Sequence, residues 1–304
     1  MPSEPCPSNE SDRKDIVFIG AGVVGLSCAL WLLRSGSRVP VVDREPPSAS
    51  TDYRHAGSYG DACTIALGAC LPVASPGILC RLPGMLLDRD GPPSIYWHDL
   101  PALAPWLYHF LRTSGKRPVE EIVAVLGEML CLAEEGHASL IAEANVRDLV
   151  RRHGCMYVYR TPTERGYHIE FETDRPLLHS STCYPSAGFY MVPLSQGLRA
   201  AGTVDLGGRD KPFRKVRTAV IERRARFFLP ALGTKTSDWL GFRPSMPDSI
   251  PVIGRSSVGP EVLYAFEHGD IGLTLAGITG SIVCDLVNGD TLPIDLSPLR
   301  PNRY

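Results

Sequence analysis

Residues 15–26 run Asp15-Ile-Val-Phe-Ile-Gly20-Ala-Gly22-Val-Val-Gly25-Leu, and no other segment limits the possible folds so tightly. Ile16 to Ile19 is a short apolar run, which predicts a buried parallel strand. Gly20 permits the tight turn out of that strand. Gly22 lets the backbone approach a pyrophosphate with no Cβ in the way, and Gly25 lets the next helix lie close on the sheet. That helix, predicted over Val23 to Arg34, turns its positive amino end toward the phosphates. A second strand, Arg38 to Val42, ends at Asp43. An acidic residue about 20 positions past the glycines is placed to hold a ribose hydroxyl. A glycine-rich turn in an unrelated α/β unit shares the three glycines but not the second strand with its terminal acid. The spacing therefore predicts a dinucleotide site from Gly20, Gly22, Val23, Val24, Gly25, Asp43 and Arg44. Ile16 to Leu33 also has about the length of a membrane span. Its spaced glycines and the charges just outside both ends favour strand-turn-helix, so no integral membrane segment is expected.

A second glycine-rich segment stands near the other end: Val262-Leu-Tyr-Ala-Phe-Glu-His268-Gly269-Asp270-Ile271-Gly272-Leu273-Thr274. A chain that leaves the nucleotide-binding sheet and returns to it in this way points to a flavin. Residues His268 to Thr274 open the last predicted helix, near Leu273 to Leu286. Their backbone N–H groups are suited to the flavin's N1–C2=O edge, where negative charge builds on reduction.

Composition excludes several classes. The 304 residues carry 31 basic and 33 acidic side chains, a net charge of −2. Neither that balance nor any basic run with interleaved aromatics favours nucleic acid. The length is enough for two cores. Nine cysteines, an odd number with no CxxC pair, argue against a disulfide framework or zinc and fit a reduced cytoplasmic setting. The histidines show no metal-ligand spacing, so no metal is expected. Residues 1–14 are polar and proline-rich, a disordered lead-in with no apolar core of a secretory signal.

Along the middle of the chain, residues 101–112 predict a short apolar helix. Residues 118–153 predict one or two amphipathic helices. Met156-Tyr-Val-Tyr, Tyr167 to Phe171, Phe189 to Val192 and Leu198 to Asp205 are strand-like, with turn residues between them, and suggest an antiparallel sheet. Val216 to Leu232 predicts an arginine-rich helix.

Taken together these segments resemble one family. Gly241-Phe-Arg243-Pro with Pro-Val-Ile-Gly254, followed by His268-Gly269-Asp-Ile-Gly272-Leu-Thr274 and Thr279-Gly280, resembles the FAD-dependent D-amino-acid oxidoreductases. The nearest types are the D-hydroxyproline dehydrogenases and the D-amino-acid dehydrogenases of the small-chain kind. Val73-Ala-Ser-Pro-Gly with Met85-Leu-Leu-Asp, Glu164-Arg-Gly-Tyr-His-Ile-Glu-Phe and Gly188-Phe-Tyr190-Met-Val-Pro193 match the same pattern. The resemblance covers nearly all of residues 15–290. It implies an α/β fold with a discontinuous Rossmann-like FAD-binding domain (15–60 and 241–290). It also implies an α+β substrate domain with an antiparallel sheet (61–240) and a tail (291–304).

The resemblance further implies an enzyme with FAD as cofactor and a small D-amino acid as substrate, D-proline and D-hydroxyproline types among the candidates. Hydride would pass from Cα to flavin N5, giving an imine and then a 2-oxo acid. Arg243 is the candidate carboxylate anchor, since its fork holds a carboxylate with two charge-assisted hydrogen bonds. The alternative for Arg243 is a surface ion pair with Asp248. Tyr190 is the candidate second catalytic residue, the alternative being a core tyrosine. Electrons would go to oxygen, a quinone or another carrier, with the protein in the cytoplasm or peripheral at the inner face of the membrane.

Three departures from the family pattern stand out. Tyr159-Arg160-Thr161 runs almost directly into Glu164, so that on the order of a hundred residues, a small domain's worth, are absent. Asp61 stands where the family has Asn. Glu267 stands where it has Gly, in a segment the resemblance sets near the flavin ring. The first departure opens a second reading, an internally deleted, non-catalytic remnant with impaired FAD binding. It also predicts exposed sheet edges and reduced stability.

Overall fold

The computed structural model describes residues 14–45, 56–60, 64–72, 93–95, 97–150, 165–184, 189–195, 197–206, 212–242 and 246–303, with single residues at 53, 76 and 84. The expected strand at Met156 and the chain junction at 161–163 lie outside the described residues, as do Asp61 and Arg243.

The amino-terminal unit forms as its glycines dictate. Strand β1 (Phe18–Ile19) leads through the turn at 20–22 into helix α1 (Val23–Arg34), and β2 (Val41–Val42) pairs with β1 in parallel. Backbone bonds from Ile16 to Arg38 and from Arg38 to Lys14 extend the pairing past the two-residue strands. A Cβ on Gly25 would lie 2.0 Å from the Gly20 carbonyl oxygen, so only glycine lets α1 sit this close to the strand.

One expectation for this unit is corrected. The apolar run Ile16 to Ile19 predicts a buried strand, yet only one of its faces is covered. Ile16 and Phe18 turn toward the core, while Val17 is 63 % exposed and Ile19 84 %. Val42, paired with Ile19, is 54 % exposed on the same side. The two-stranded sheet thus has one covered and one open face.

The helical layer is organised by the last long helix. After β3 (Pro93–Ile95), helices α2 (Leu100–Thr113) and α3 (Lys116–Glu143) follow in sequence. Over residues 118–150 the chain forms a single helix that ends at Glu143, ahead of Asn145, whose φ of 53° is left-handed, and then a short 3-10 turn. Helix α4 (Lys215–Phe228) stops short of the predicted Leu232 because Pro230 disfavours helical backbone at Leu229. Helix α5 (Gly272–Asn288) carries the central contacts. A Cβ on Gly277 would meet Gly136 C at 2.5 Å and His137 N at 2.7 Å. A Cβ on Gly280 would meet the Ser27 carbonyl oxygen at 2.8 Å. Helices α3 and α1 thus approach α5 at backbone distance on two sides. Cys28, Leu32, Ile122, Leu126, Met129, Leu275, Ile278 and Ile282 fill the space between them. The helical stretch Gly269–Asn288, α5 with the turn before it, is apolar and long enough to cross a membrane, but most of it is buried in this layer.

A second core lies under a larger sheet. Strands β4 (Arg165–Phe171), β5 (Thr182–Tyr184), β6 (Phe189–Leu194), β7 (Gly197–Leu206) and β8 (Lys235–Phe242) pair in the order β5-β6-β7-β4-β8, antiparallel throughout. Strand β3 joins β7 in parallel at Val204 to Leu206, beyond the reach of β6. The period of two places Tyr167, Ile169, Phe171, Phe189, Met191, Leu198 and Ala200 on the face covered by α4, against Ile221 and Ala225. Strands β9 (Val252–Arg255) and β10 (Leu263–Phe266) form a separate antiparallel pair before α5.

Gly277→Ala is expected to destabilise the protein by about 1–3 kcal/mol, because the methyl group meets backbone that cannot step aside. Gly127→Ala on α3 points into open space. It should instead stabilise by roughly 0.5–1 kcal/mol through helix propensity. Urea denaturation midpoints of the two variants against the parent chain check both signs.

Candidate functional site

The glycine turn and the start of α5 share one end of the helical layer. Ser27 and Trp31 of α1 lie against Gly280, and the Cys284 thiol lies 3.6 Å from the Trp31 carbonyl oxygen. A step of four along α1 matches a step of four along α5 in the same sense, so the two helices run with the same polarity. At the far end, the Lys14 ammonium donates to the Val287 carbonyl at 2.6 Å, and the Arg255 guanidinium caps the Leu286 carbonyl. The carboxyl ends of β1, β2 and β10 and the amino ends of α1 and α5 therefore gather on one side. This is where open α/β sheets bind ligands.

The sequence-predicted cofactor residues meet at this end. The Ala21 amide donates to Asp43 Oδ2 at 2.6 Å, and the Glu45 amide donates to Oδ1 at 3.0 Å. These bonds tie the glycine turn to the end of β2 and hold the Asp43 carboxyl below its ordinary range. A Cβ on Gly20 or Gly22 would meet no heavy atom within 4 Å, so open space lies over the turn. Val23 and Val24 begin α1 and present amides there, and Arg44 follows Asp43. A positive helix end, an open glycine cradle and a fixed acceptor carboxylate suit a dinucleotide.

At the α5 end, Gly269, Asp270 and Ile271 form a 3-10 turn that runs into Gly272, Leu273 and Thr274. The side chains here are engaged inward. The Thr274 hydroxyl accepts from the Ala66 amide at 2.9 Å. His137 Nε2 lies 2.8 Å from the Leu273 carbonyl and 3.1 Å from that of Thr274. Since carbonyls only accept, this nitrogen carries the proton. His268 is buried with Nε2 3.0 Å from Thr279 Oγ1, and burial pushes its pKa down to about 4. Its imidazole is thus a neutral wedge between turn and helix.

Residues 57–60 lie against the larger sheet, and residues 64–66 lie against the start of α5. The register aligns Tyr190, Ala201, His168 and Trp239 in one row across β6, β7, β4 and β8, on the face opposite α4. The next row is Val192, Arg199, Glu170 and Ser237. His168 stacks on Trp239 with ring centroids 4.7 Å apart, and the Tyr59 ring leans on both. Arg199 donates to Glu170 Oε1 at 2.8 Å and to the Tyr59 carbonyl at 3.0 Å. The Trp239 ring is gripped by Gly60 and Gly241, where a Cβ on either would overlap it.

Tyr190 is therefore half-exposed beside a fixed polar and aromatic wall, with its side chain away from the α4 core. Sequence reading missed His168, Trp239, Tyr59, Arg199 and Glu170 as a group. Their signal is the alternation of β4, but grouping them needs the cross-strand register. Asp248, the alternative partner for Arg243, is held by Arg303, which donates to Oδ2 at 2.8 Å and to Oδ1 at 3.2 Å. Among the described residues there is no cluster of metal-ligating side chains.

Comparison with known proteins bears on this arrangement. Residues 15–163 and 142–286 match the family described as FAD dependent oxidoreductase. The two matches overlap over residues 142–163. The chain is similar to a D-amino-acid oxidase of Bradyrhizobium diazoefficiens, 25% identical over 422 residues, covering 96% of this chain and 99% of that one. It is also similar to a D-amino acid dehydrogenase of Vibrio cholerae, 23% identical over 421 residues, covering 95% and 99%. Both alignments exceed the 304 residues of this chain, so many positions of each relative have no counterpart here. Among solved structures, iminodiacetate oxidase from Chelativorans sp. BNC1 shares the fold, with a TM-score of 0.53, 15% identity and coverage of 95% and 99%.

A pH effect follows from His268. The folded protein keeps this imidazole neutral down to about pH 4, whereas an unfolded histidine takes up a proton near 6.5. The unfolded state thus binds more protons between these values. The His268 contribution to stability is complete above about pH 6.5 and falls, by up to about 3 kcal/mol, as pH drops toward 4. Stability of parent and His268→Gln, measured by urea denaturation from pH 7.5 to 4.5, should differ in slope over that window, with the variant flatter.

Proposed function

The chain belongs to the FAD-dependent oxidoreductase family, and from that membership we propose that it oxidises a small D-amino acid at Cα, with D-proline-type substrates the first to test. The observation that carries the reading is the convergence of the glycine turn, Asp43 and the amino end of α5 on one side of the helical layer. The D-amino-acid oxidase and dehydrogenase names of the similar proteins support the substrate class.

FAD, when bound, supplies the two-electron acceptor for oxidation of the substrate's Cα–N bond. The chain's own residues hold the parts in place. Amides of the glycine turn and α1 would hold the pyrophosphate, and Asp43 would accept from the ribose hydroxyl. The amides at Gly269 to Thr274 give positive potential at the end where reduction builds negative charge. Arg243 follows β8 directly, one residue past Phe242, and is assigned to the substrate carboxylate. Tyr190 is assigned to the same carboxylate from the sheet face. Two-electron oxidation of the amino acid leaves an imine, which water converts to a 2-oxo acid and ammonia, while a cyclic substrate leaves a cyclic imine.

One observation favours a second reading. The open apolar face of Val17, Ile19 and Val42, together with the positions missing relative to both curated proteins, fits a remnant that folds but holds FAD weakly.

The visible spectrum separates the two. Purified protein reconstituted with FAD should show flavin bands that bleach anaerobically with D-proline, D-hydroxyproline or D-alanine. Return of the bands on adding air or a quinone identifies the acceptor. Arg243→Ala should retain the bands and raise KM at least ten-fold. Bands that no D-amino acid bleaches would remove the proposed substrate, and their complete absence would favour the remnant.

A further inference from the structure

The carboxyl end of β10 carries a residue held against its backbone preference. Glu267 has φ of 61°, in the left-handed region that glycine enters freely and a glutamate enters at a cost. Strain of this kind concentrates at functional sites, where surrounding structure enforces it. The surroundings here are fixed on both sides. Phe266 pairs with Val252 in the β9–β10 ladder, and His268 is locked by Thr279. Glu267 therefore stands at the end of the layer shared by the glycine turn and the amino end of α5.

Its charge environment is also built. The Arg303 side chain is largely buried and donates to both oxygens of Asp248, to the Ile250 carbonyl and to the Leu299 carbonyl. Its guanidinium acts on Glu267 through space, favouring the ionised carboxylate, while burial favours the neutral form more strongly and raises the pKa. The same guanidinium is already neutralised by Asp248. With Glu267 ionised, Glu267, Asp248 and Arg303 together thus carry one negative charge at an end where two helix termini supply positive potential.

We propose that Glu267 is a potential-setting residue: its carboxylate, fixed in a left-handed turn at the cofactor end of the layer, makes reduction of the bound flavin less favourable. The proposal rests on the functional reading above, because it needs FAD at this end. Removing the negative charge raises the equilibrium constant for two-electron reduction. Replacing the residue by glycine does the same and also relieves the backbone, so the two effects are separable.

The test uses the full chain reconstituted with FAD, as parent, Glu267→Gln and Glu267→Gly, at pH 8. The flavin midpoint potential is read by equilibration with a reference dye, and thermal melting is read on the FAD-free proteins. Both variants should raise the reduction equilibrium constant about ten-fold, equivalent to roughly 30 mV for two electrons. Glu267→Gly should raise the melting temperature further than Glu267→Gln, since Glu267→Gln relieves only the buried charge and keeps the strained backbone. Equal potentials in three FAD-loaded proteins would overturn the role of Glu267 while leaving the functional reading intact. Failure of the parent chain to take up FAD would overturn both.

Discussion

The backbone contact of α5 with its two neighbours is the constraint on which the rest of the molecule depends. Gly277 against Gly136, and Gly280 against Ser27 and the Trp31 ring, allow α3 and α1 to lie close on α5. Close approach sets the depth of the core of Cys28, Leu32, Met129 and Ile282. The matched polarity of α1 and α5 brings two amino ends and the ends of β1, β2 and β10 to one side. The candidate cofactor site is therefore a consequence of helix packing, not of the glycine turn alone.

That end of the molecule balances opposite potentials. Helix termini favour negative charge, and the carboxylates of Asp43, Asp270 and Glu267 stand close to them in the chain. Asp43 is satisfied by two amides and stays ionised. His268, which could have added positive charge, is kept neutral by burial. Arg303, from the last residues of the chain, is engaged largely by Asp248. The positive potential offered to a cofactor thus comes mainly from backbone amides, which do not titrate and are in place before anything binds.

Local signals made part of this structure legible in the sequence. Helix α1 spans Val23–Arg34 as its glycines and apolar spacing predict, and β4, β6 and β7 fall where the strand-like runs stand. Signals that depend on distant partners were not legible. The open face of Val17, Ile19 and Val42 cannot be read from an apolar run that normally means burial on both sides. The row of Tyr190, Ala201, His168 and Trp239 exists only through register among four strands. Among the described residues, the arginine that holds Asp248 lies 55 residues away in the chain. In each case the missing information is long-range pairing, which periodicity and spacing do not encode.

The central claim is that one end of the α1–α5 layer holds a dinucleotide through its pyrophosphate. The most direct measurement is fluorescence titration of FAD and of riboflavin with the purified, FAD-free chain. Saturable one-to-one quenching with FAD, and binding at least a hundred-fold weaker with riboflavin, which lacks the pyrophosphate and adenosine, is the predicted result. Equal affinities, or no saturable quenching by FAD at any concentration of folded protein, would contradict it.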